Sequence, residues 1–437
     1  MRTDVEETVQ PCPECGAEIR VDSRFTTWCS ACDWNVDPSL SEEDEGRLET
    51  LRRALARRHG EQLLAEMSAG QERRAGQDVA GVVAFGIAVV VHGMTVVLAA
   101  GGIWLVASGW MGAGMVLGLF LLALAWTLRP RLSRLPEDGR VLRADAPELY
   151  GLIDEVARVV GTGGVDVVAV NAEVNASVMP YGVRGRLLTL GLPLWEILTP
   201  QQRIALLGHE LGHYSNGDTR RGLVVGTAYR SLTTWRFYVD PIANPSLVEM
   251  LINCVYVVPR SVVQGILILL DQLTVRAAQR CEYLADSMAA RAGSTEAAVE
   301  LMDKLLVVES VATTLRREVN HRRLGRRGGP VSRGRSSGEE SMKNNPAEGL
   351  WEALADHVSS IPDHEYERQR RVGARRGHSV DSTHPPTHLR RQLLLGGVYV
   401  TASVVADDDQ ARRITAELEG ARTSLARQVV RDGFDGS

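Results

Sequence analysis

The chain has 437 residues, with 44% hydrophobic and 24% charged residues and a formal net charge of −5. That length accommodates about three domains of roughly 150 residues, and the global charge gives no reason to expect nucleic acid as a partner. The N-terminal stretch MRTDVEETVQ is acidic and polar and does not read as a secretory signal.

Four of the six cysteines cluster, at Cys12, Cys15, Cys29 and Cys32; Cys254 and Cys281 are scattered. Residues 10–36 read QPCPECGAEIRVDSRFTTWCSACDWNV, two C-x-x-C knuckles separated by thirteen residues. Each knuckle turns tightly enough to aim two thiolates at one ion, and two knuckles complete a tetrahedral Cys₄ zinc site. Phe25, Trp28 and Trp34 supply the cover for so small a core. A zinc ribbon over residues 1–38 in a reducing compartment is expected. Redox cysteines are the weaker alternative, because there are two knuckles rather than one.

A charged, arginine-rich helical linker follows over 39–78. Residues 79–128 then contain no Asp, Glu, Lys or Arg. A membrane span needs about 20 apolar residues, so the stretch predicts two transmembrane helices with a turn among the small residues near Ser108–Gly114, Gly101-Gly102 being the alternative. Arg73 and Arg74 precede it, and Arg129, Arg131 and Arg134 follow it. The positive-inside rule then puts both ends in the cytoplasm. His92 falls inside the first span, where a helix-packing hydrogen bond is its expected role.

From residue 146 the pattern becomes globular. APELYGLIDEVARVVG reads as an amphipathic helix, and VDVVAVNAEVNASVMPYGVRGRLLTLGL as two or three short strands. TPQQRIALLGHELGHYSNGD opens with Thr199 as N-cap, Pro200 at the first helical position and Gln202 closing a capping box. Asn216-Gly217 reads as a stop. Residues 246–274 are again apolar, but Pro259 and Arg260 interrupt them. A kinked span, two short membrane-inserted helices and soluble core all fit this segment. Long helices are expected over 275–319, a flexible Arg/Gly/Ser insertion over 320–345, and a charged helix over 407–431. The resulting division is 130–319 and 346–400 for the main globular domain and 401–437 for a C-terminal helical segment.

The chemistry lies in HELGH. Positions i and i+4 share a helix face, so His209 and His213 can address one ion. Glu210, offset by one residue, suits a general base acting on water activated by that ion. Gly212 leaves room for a close backbone approach. A third ligand is needed, and AAQRCEYLADSMAAR supplies candidates, Glu282 and Asp286 at i and i+4. Glu282 can complete a His₂Glu set, and Asp286 can accept a hydrogen bond from a ligand histidine's other ring nitrogen. In DSTHPPTHLRRQLL two prolines hold His384 on a rigid loop, with Arg390 six residues on; either can stabilise a developing oxyanion.

Four elements in order, NAS at Asn175–Ser177, HELGH, EYLAD at Glu282–Asp286 and THPPTHLR at Thr383–Arg390, resemble the integral-membrane zinc metallopeptidases of the HtpX and CAAX prenyl endopeptidase family. The resemblance covers roughly residues 130–400. It implies a mainly α, α+β zincin-like domain with a small edge-exposed sheet. It implies His209, His213 and Glu282 as ligands of a catalytic zinc, Glu210 as catalytic base, and Asp286 as the residue orienting His209. His384 becomes the transition-state stabiliser with Arg390 nearby, and Asn175 and Ala176 line the cleft on an edge strand that pairs with extended substrate.

The expectation is therefore a multi-pass, membrane-anchored zinc endopeptidase of the HtpX-like branch, with its catalytic domain and ribbon at the cytoplasmic face of the cell membrane. It carries one catalytic and one structural Zn²⁺. Its partners are a polypeptide substrate, the lipid bilayer and a protein recruited by the ribbon, and its role is quality control of membrane proteins. The alternatives are processing of prenylated CAAX proteins and an inert membrane zinc scaffold.

Overall fold

The computed structural model describes residues 8–38, 60–69, 79–109, 112–130, 133–182, 185–215, 219–327, 347–376 and 384–434. Strands β1 (Thr8–Pro11) and β2 (Glu18–Val21) form an antiparallel hairpin beside the two cysteine knuckles. Of the charged linker only its later part is described, a helical stretch at 60–68. Arg280 reaches back to it and pairs with Glu66 at 2.8 Å.

Helices α1 (Val79–Ser108) and α2 (Ala113–Leu128) follow, so the chain turns where its small residues cluster. Gly102 and Gly118 bring their backbones together; a Cβ on Gly118 would lie 2.8 Å from the Gly102 carbonyl. The rest of both surfaces is bare aliphatic and aromatic, with Val97, Trp104, Phe120 and Trp126 among the exposed side chains. His92 faces inward, its Nε2 at 3.2 Å from both the Val224 carbonyl and Thr227 Oγ1.

The globular part begins with β3 (Arg140–Val141) and the amphipathic α3 (Pro147–Val160). Pro147 stands in its first turn, and Gly161 ends it in the left-handed conformation at φ 81°. A four-stranded sheet is completed by β4 (Val167–Asn171), β5 (Ala176–Tyr181) and β6 (Gly185–Gly191), in the order β3-β4-β6-β5. β4 runs parallel to β6, and the other pairs are antiparallel. The Tyr150 hydroxyl donates to the Val141 carbonyl and accepts from the Val168 N–H, which pins α3 across two strands.

Helices α4 (Leu192–Ile197) and α5 (Pro200–Ser215) lead into the core. The capping box forms as the residues dictate: Thr199 Oγ1 accepts from Gln202 N, and Gln202 Oε1 accepts from Thr199 N. α5 ends at Ser215; Asn216 and Gly217, the expected stop, lie outside the described residues.

Next come α6 (Thr219–Tyr238) and α7 (Leu247–Gly293). Of the three possibilities open for residues 246–274, the structure sets aside two separate short helices. Residues 246–274 do not break at Pro259-Arg260, because α7 is one continuous helix of 47 residues. A proline inside a helix costs about 3 kcal/mol. Arg260 turns its Nε to the Val239 carbonyl, just beyond α6, at 2.8 Å and so ties the two helices together. α1, α6 and α7 share an apolar cluster that includes Ala84, Ala88, Ala228, Leu232 and Leu267. α1 and α7 are each long and apolar enough to cross a membrane; α2 is apolar but has 16 residues.

The remaining helices are α8 (Thr295–Leu306), α9 (Val308–Arg327), α10 (Leu350–Ser359), α11 (Asp363–Arg376), α12 (Thr387–Gly396) and α13 (Asp408–Asp432). α9 runs eight residues into the segment expected to be a flexible insertion. Buried Arg322 explains this, pairing with Glu318 and donating to the carbonyls of Glu348 and Gly349. The rest of that insertion, 328–346, lies outside the described residues. The described residues form a mainly α fold with two small sheets, as the sequence leads one to expect.

Candidate metal centre and active site

HELGH lies on the innermost part of α5, where His209 and Glu210 are 6% and 7% exposed. The i, i+4 spacing stacks His209 and His213 on one face, with ring centroids 4.9 Å apart and planes at 85°. α7 packs against α5 at very short range because three glycines lie in the seam. A Cβ on Gly208 would meet Ala292 Cβ at 2.8 Å, one on Gly212 would meet Ala285 Cα at 3.1 Å, and one on Gly293 would meet Ala205 N at 2.8 Å.

That proximity delivers Glu282 to the two histidines. Its Oε2 is 3.5 Å from His209 Nε2, and its Oε1 is 3.7 Å from His213 Nε2. One donor atom from each of the three residues fits within 4.8 Å of the others. Glu282 Oε2 is buried with no donor at full hydrogen-bond geometry, the nearest being Arg390 Nη1 at 3.4 Å and His209 Nε2 at 3.5 Å. A buried oxygen left so is costly, and a cation among the converging donors removes the cost. Two imidazoles and a carboxylate are a ligand set that zinc takes. The residues present therefore fit the ion.

The surroundings are also built for charge. Asp286, fully buried, lies 3.0 Å from His209 Nδ1 and so fixes the ring with Nε2 toward Glu282. Arg390, on the first turn of α12 and 5% exposed, forms a fork with Asp286, Nε to Oδ2 at 2.9 Å and Nη2 to Oδ1 at 2.6 Å. Its Nη1 is 3.4 Å from Glu282 Oε2. His384, half-exposed, sets Nδ1 at 2.9 Å from Glu282 Oε1.

Burial pushes the Glu210 carboxyl up to about 7, despite the opposing charge of His209. Burial and then His209 push His213 down to about 4, which leaves its ring neutral with a lone pair to offer. Burial also opposes a charge on His209, but hydrogen bonds to Asp286 and Glu282 outweigh it and hold that ring up to about 9. The centre favours positive charge between these groups.

A cavity of about 230 Å³ opens over His209 and His213, two of the three candidate ligands. Asn175, Ala176, Ser177 and Val178 form one wall, Leu301, Met302 and Leu305 of α8 another, with Glu210, His384 and Arg390 also lining it. β5 is the sheet's edge. The Asn175 carbonyl accepts from Gly191 N at 2.8 Å, so Asn175 faces β6 and, by alternation, Ala176 and Val178 turn their backbone groups outward. Pro180 has the same outward parity, where its missing N–H breaks no ladder bond. Asn175, Ala176, His209, Glu210, His213, His384 and Arg390 line this one cleft, and Glu282 and Asp286 lie behind it against His209 and Arg390. Reading the sequence missed the α8 wall, whose only signal is an apolar spacing common to any packed helix.

At the other candidate centre, Cys12 Sγ is 3.7 Å from Cys32 Sγ and Cys15 Sγ 3.6 Å from Cys29 Sγ. Four thiolates about 2.3 Å from one ion stand ~3.8 Å apart. All four sulfurs lie within 4.8 Å of one another.

Residues 143–396 match the sequence pattern of peptidase family M48. A stretch of 80 residues is 35% identical to Protease HtpX homolog 1 of Sulfurisphaera tokodaii, covering 18% of this chain and 25% of that protein. No solved structure matches the chain. The match to the family takes in more than half of the chain and includes the HELGH helix, the Glu282 helix and the Arg390 helix, and the chain belongs to peptidase family M48.

Proposed function

We propose that this protein is a membrane-anchored zinc endopeptidase that hydrolyses peptide bonds of membrane or membrane-associated proteins at the cytoplasmic face, in a quality-control role. The observation that carries this reading is the convergence of His209, His213 and Glu282 beside Glu210 in a cleft walled by an open strand edge. His209, His213 and Glu282 would hold the ion. When bound, zinc supplies Lewis acidity, polarising a peptide carbonyl and acidifying water.

The chain's own groups do the rest. Val178 offers an outward N–H and both Ala176 and Val178 outward C=O groups to an extended peptide, while the Ala176 N–H is held by Asn175 Oδ1 at 2.9 Å; such a peptide binds by main-chain pairing with little demand on sequence. Glu210, with its carboxyl near 7, takes the proton of the attacking water and returns it to the leaving nitrogen. Asp286 holds His209 in one tautomer. Arg390 balances the carboxylates of Asp286 and Glu282, which makes it a positioning residue. His384, at the open side, is placed to donate to the developing oxyanion.

Membrane attachment rests on the bare apolar surfaces of α1, α2 and the first half of α7, where Leu247, Val248, Leu251, Val255 and Val258 are exposed. The cytoplasmic side rests on the arginines flanking residues 79–128. The test is purified full-length protein and its Glu210→Gln variant in detergent, incubated with an unfolded polypeptide. Both are expected to bind zinc, and cleavage is expected of the wild type alone. Equal cleavage by the variant would overturn the mechanism. Cleavage confined to lipidated C-terminal peptides would instead assign the protein to prenyl-protein processing.

A further inference from the structure

The Cys₄ ribbon is not a free appendage. It rests on α11, and the contact is built from the knuckle that carries Cys29 and Cys32. Trp28 and Val36, 4% and 0% exposed, close on Val372 of α11. Arg368 donates to the Val36 carbonyl at 2.8 Å while its other nitrogens clasp Glu365. Arg371 donates to the Ser30 carbonyl at 2.8 Å and to Asp33, and its guanidinium lies 5.1 Å from the centre of the Trp28 ring. Arg375 adds a second bond to Asp33. Ser30 lies between the two cysteines of this knuckle and Asp33 directly follows it, so the groups Arg371 grips are shaped by the Cys₄ site. Asp33 adopts a positive φ of 59° there, in a turn closed by its N–H to the Cys29 carbonyl at 2.9 Å and by Cys29 N–H to the Trp34 carbonyl at 3.0 Å.

α11 in turn supports α12. Arg370 of α11 and Arg391 of α12 both pair with Asp303 of α8, at 2.8–2.9 Å. α12 also lies against α11 at Gly373, where a Cβ would stand in ordinary contact with His388 Nδ1 at 3.8 Å. Arg390 lies one residue before Arg391 and forks onto Asp286, and His384 stands just ahead of α12. A contiguous set of contacts therefore runs from the cysteine knuckle through α11 and α12 to the catalytic centre.

We propose that the ribbon serves its own chain: the metal-bound Cys₄ site clamps α11 and thereby positions α12, with Arg390 and His384, over the candidate ligands. Activity is then contingent on the occupancy of the Cys₄ site, and loss of that ion releases the α11–α12 pair. This rests on the peptidase reading only for its activity readout. The ribbon's partner is intramolecular, a helix face rich in arginine set against an acidic, aromatic knuckle.

The test uses the full chain in detergent, with zinc counted per chain and amide exchange followed over residues 363–396. Two double variants are compared with wild type. Cys12→Ser/Cys15→Ser empties the site. Asp33→Ala/Arg371→Ala leaves all four cysteines and cuts the docking. The first is expected to bind one zinc in place of two and the second to keep both. In each, exchange over α11 and α12 is expected to quicken by about tenfold or more, and kcat to fall further than KM changes. Wild-type exchange over 363–396 together with wild-type kcat in either variant overturns the clamp. Should the wild type itself cleave nothing, the exchange data still decide the clamp, so its failure and that of the peptidase reading remain distinguishable. The docking variant also keeps the test decisive if the cysteine variant fails to fold.

Discussion

Asp286 and Arg390 are 104 residues apart in the chain and meet in a buried fork, with Nη2 2.6 Å from Oδ1 and Nε 2.9 Å from Oδ2. The same carboxylate faces His209 Nδ1 at 3.0 Å, so the ion pair and the orientation of a candidate ligand are one arrangement. Removing one partner of a buried pair costs about 3–5 kcal/mol, because the other charge stays buried without compensation. Arg390→Met is therefore expected to lower the thermal midpoint sharply. Asp286→Asn is expected to weaken zinc binding by about 10–100-fold. Thermal melts and competitive chelator titration measure both; unchanged zinc affinity in Asp286→Asn would sink the proposed orientation of His209.

The edge strand gives a prediction that separates binding from folding. Val178 turns its backbone away from β6, so Val178→Pro removes a donor that no strand among the described residues uses. Stability is expected to change by less than about 1 kcal/mol, while KM for an extended peptide rises. A Ser177→Pro change, which strikes the β6-facing side, is expected to destabilise the sheet instead. Steady-state kinetics paired with melts distinguish the two.

Gly208 is one of the points where α5 and α7 come closest, just before HELGH. Gly208→Ala would place a methyl 2.8 Å from Ala292 Cβ and 3.0 Å from the Met288 carbonyl, so the helices must part. Overpacking of this kind costs about 1–3 kcal/mol. It is also expected to weaken zinc binding, because His209 and Glu282 are carried on the two helices being separated. Zinc affinity equal to wild type would show that the seam does not set ligand spacing.

The membrane reading turns on the outward face of α1. Val97 is 70% exposed, near the middle of the apolar run. Val97→Arg in lipid costs about 2.5–3.5 kcal/mol, and in water close to nothing. Reduced recovery in the membrane fraction, with unchanged solubility of the soluble fraction, is the expected outcome. Unaltered partitioning would argue that this face does not meet lipid.

A pH dependence follows from His357 on α10. Its Nε2 is buried without a hydrogen bond, and burial, then the charges of Arg24 and Arg317, lower its pKa from the ordinary 6.5. The unfolded chain therefore binds the proton more readily, and stability falls as pH drops below about 6.5 toward the folded value. His357→Gln is expected to flatten this part of the profile. Denaturant midpoints measured between about pH 5 and 7 provide the check.

The sequence by itself determined what is written in short-range spacing. The i, i+4 histidines of HELGH, the capping box at Thr199 and Gln202, the paired cysteine knuckles and the uncharged run with its small-residue turn all depend on neighbours a few residues away, and local geometry dictates them. Tertiary structure decided what depends on distant packing. The glycine seam that brings Glu282 to His209, the fork between Arg390 and Asp286, and the α8 wall of the cleft join segments separated by tens to hundreds of residues. The continuity of α7 through Pro259 is a compromise between a local penalty and contacts made elsewhere. The seat of the ribbon on α11 belongs with these. Arg371 and Asp33 are ordinary surface charges in the sequence, and only the fold makes them neighbours.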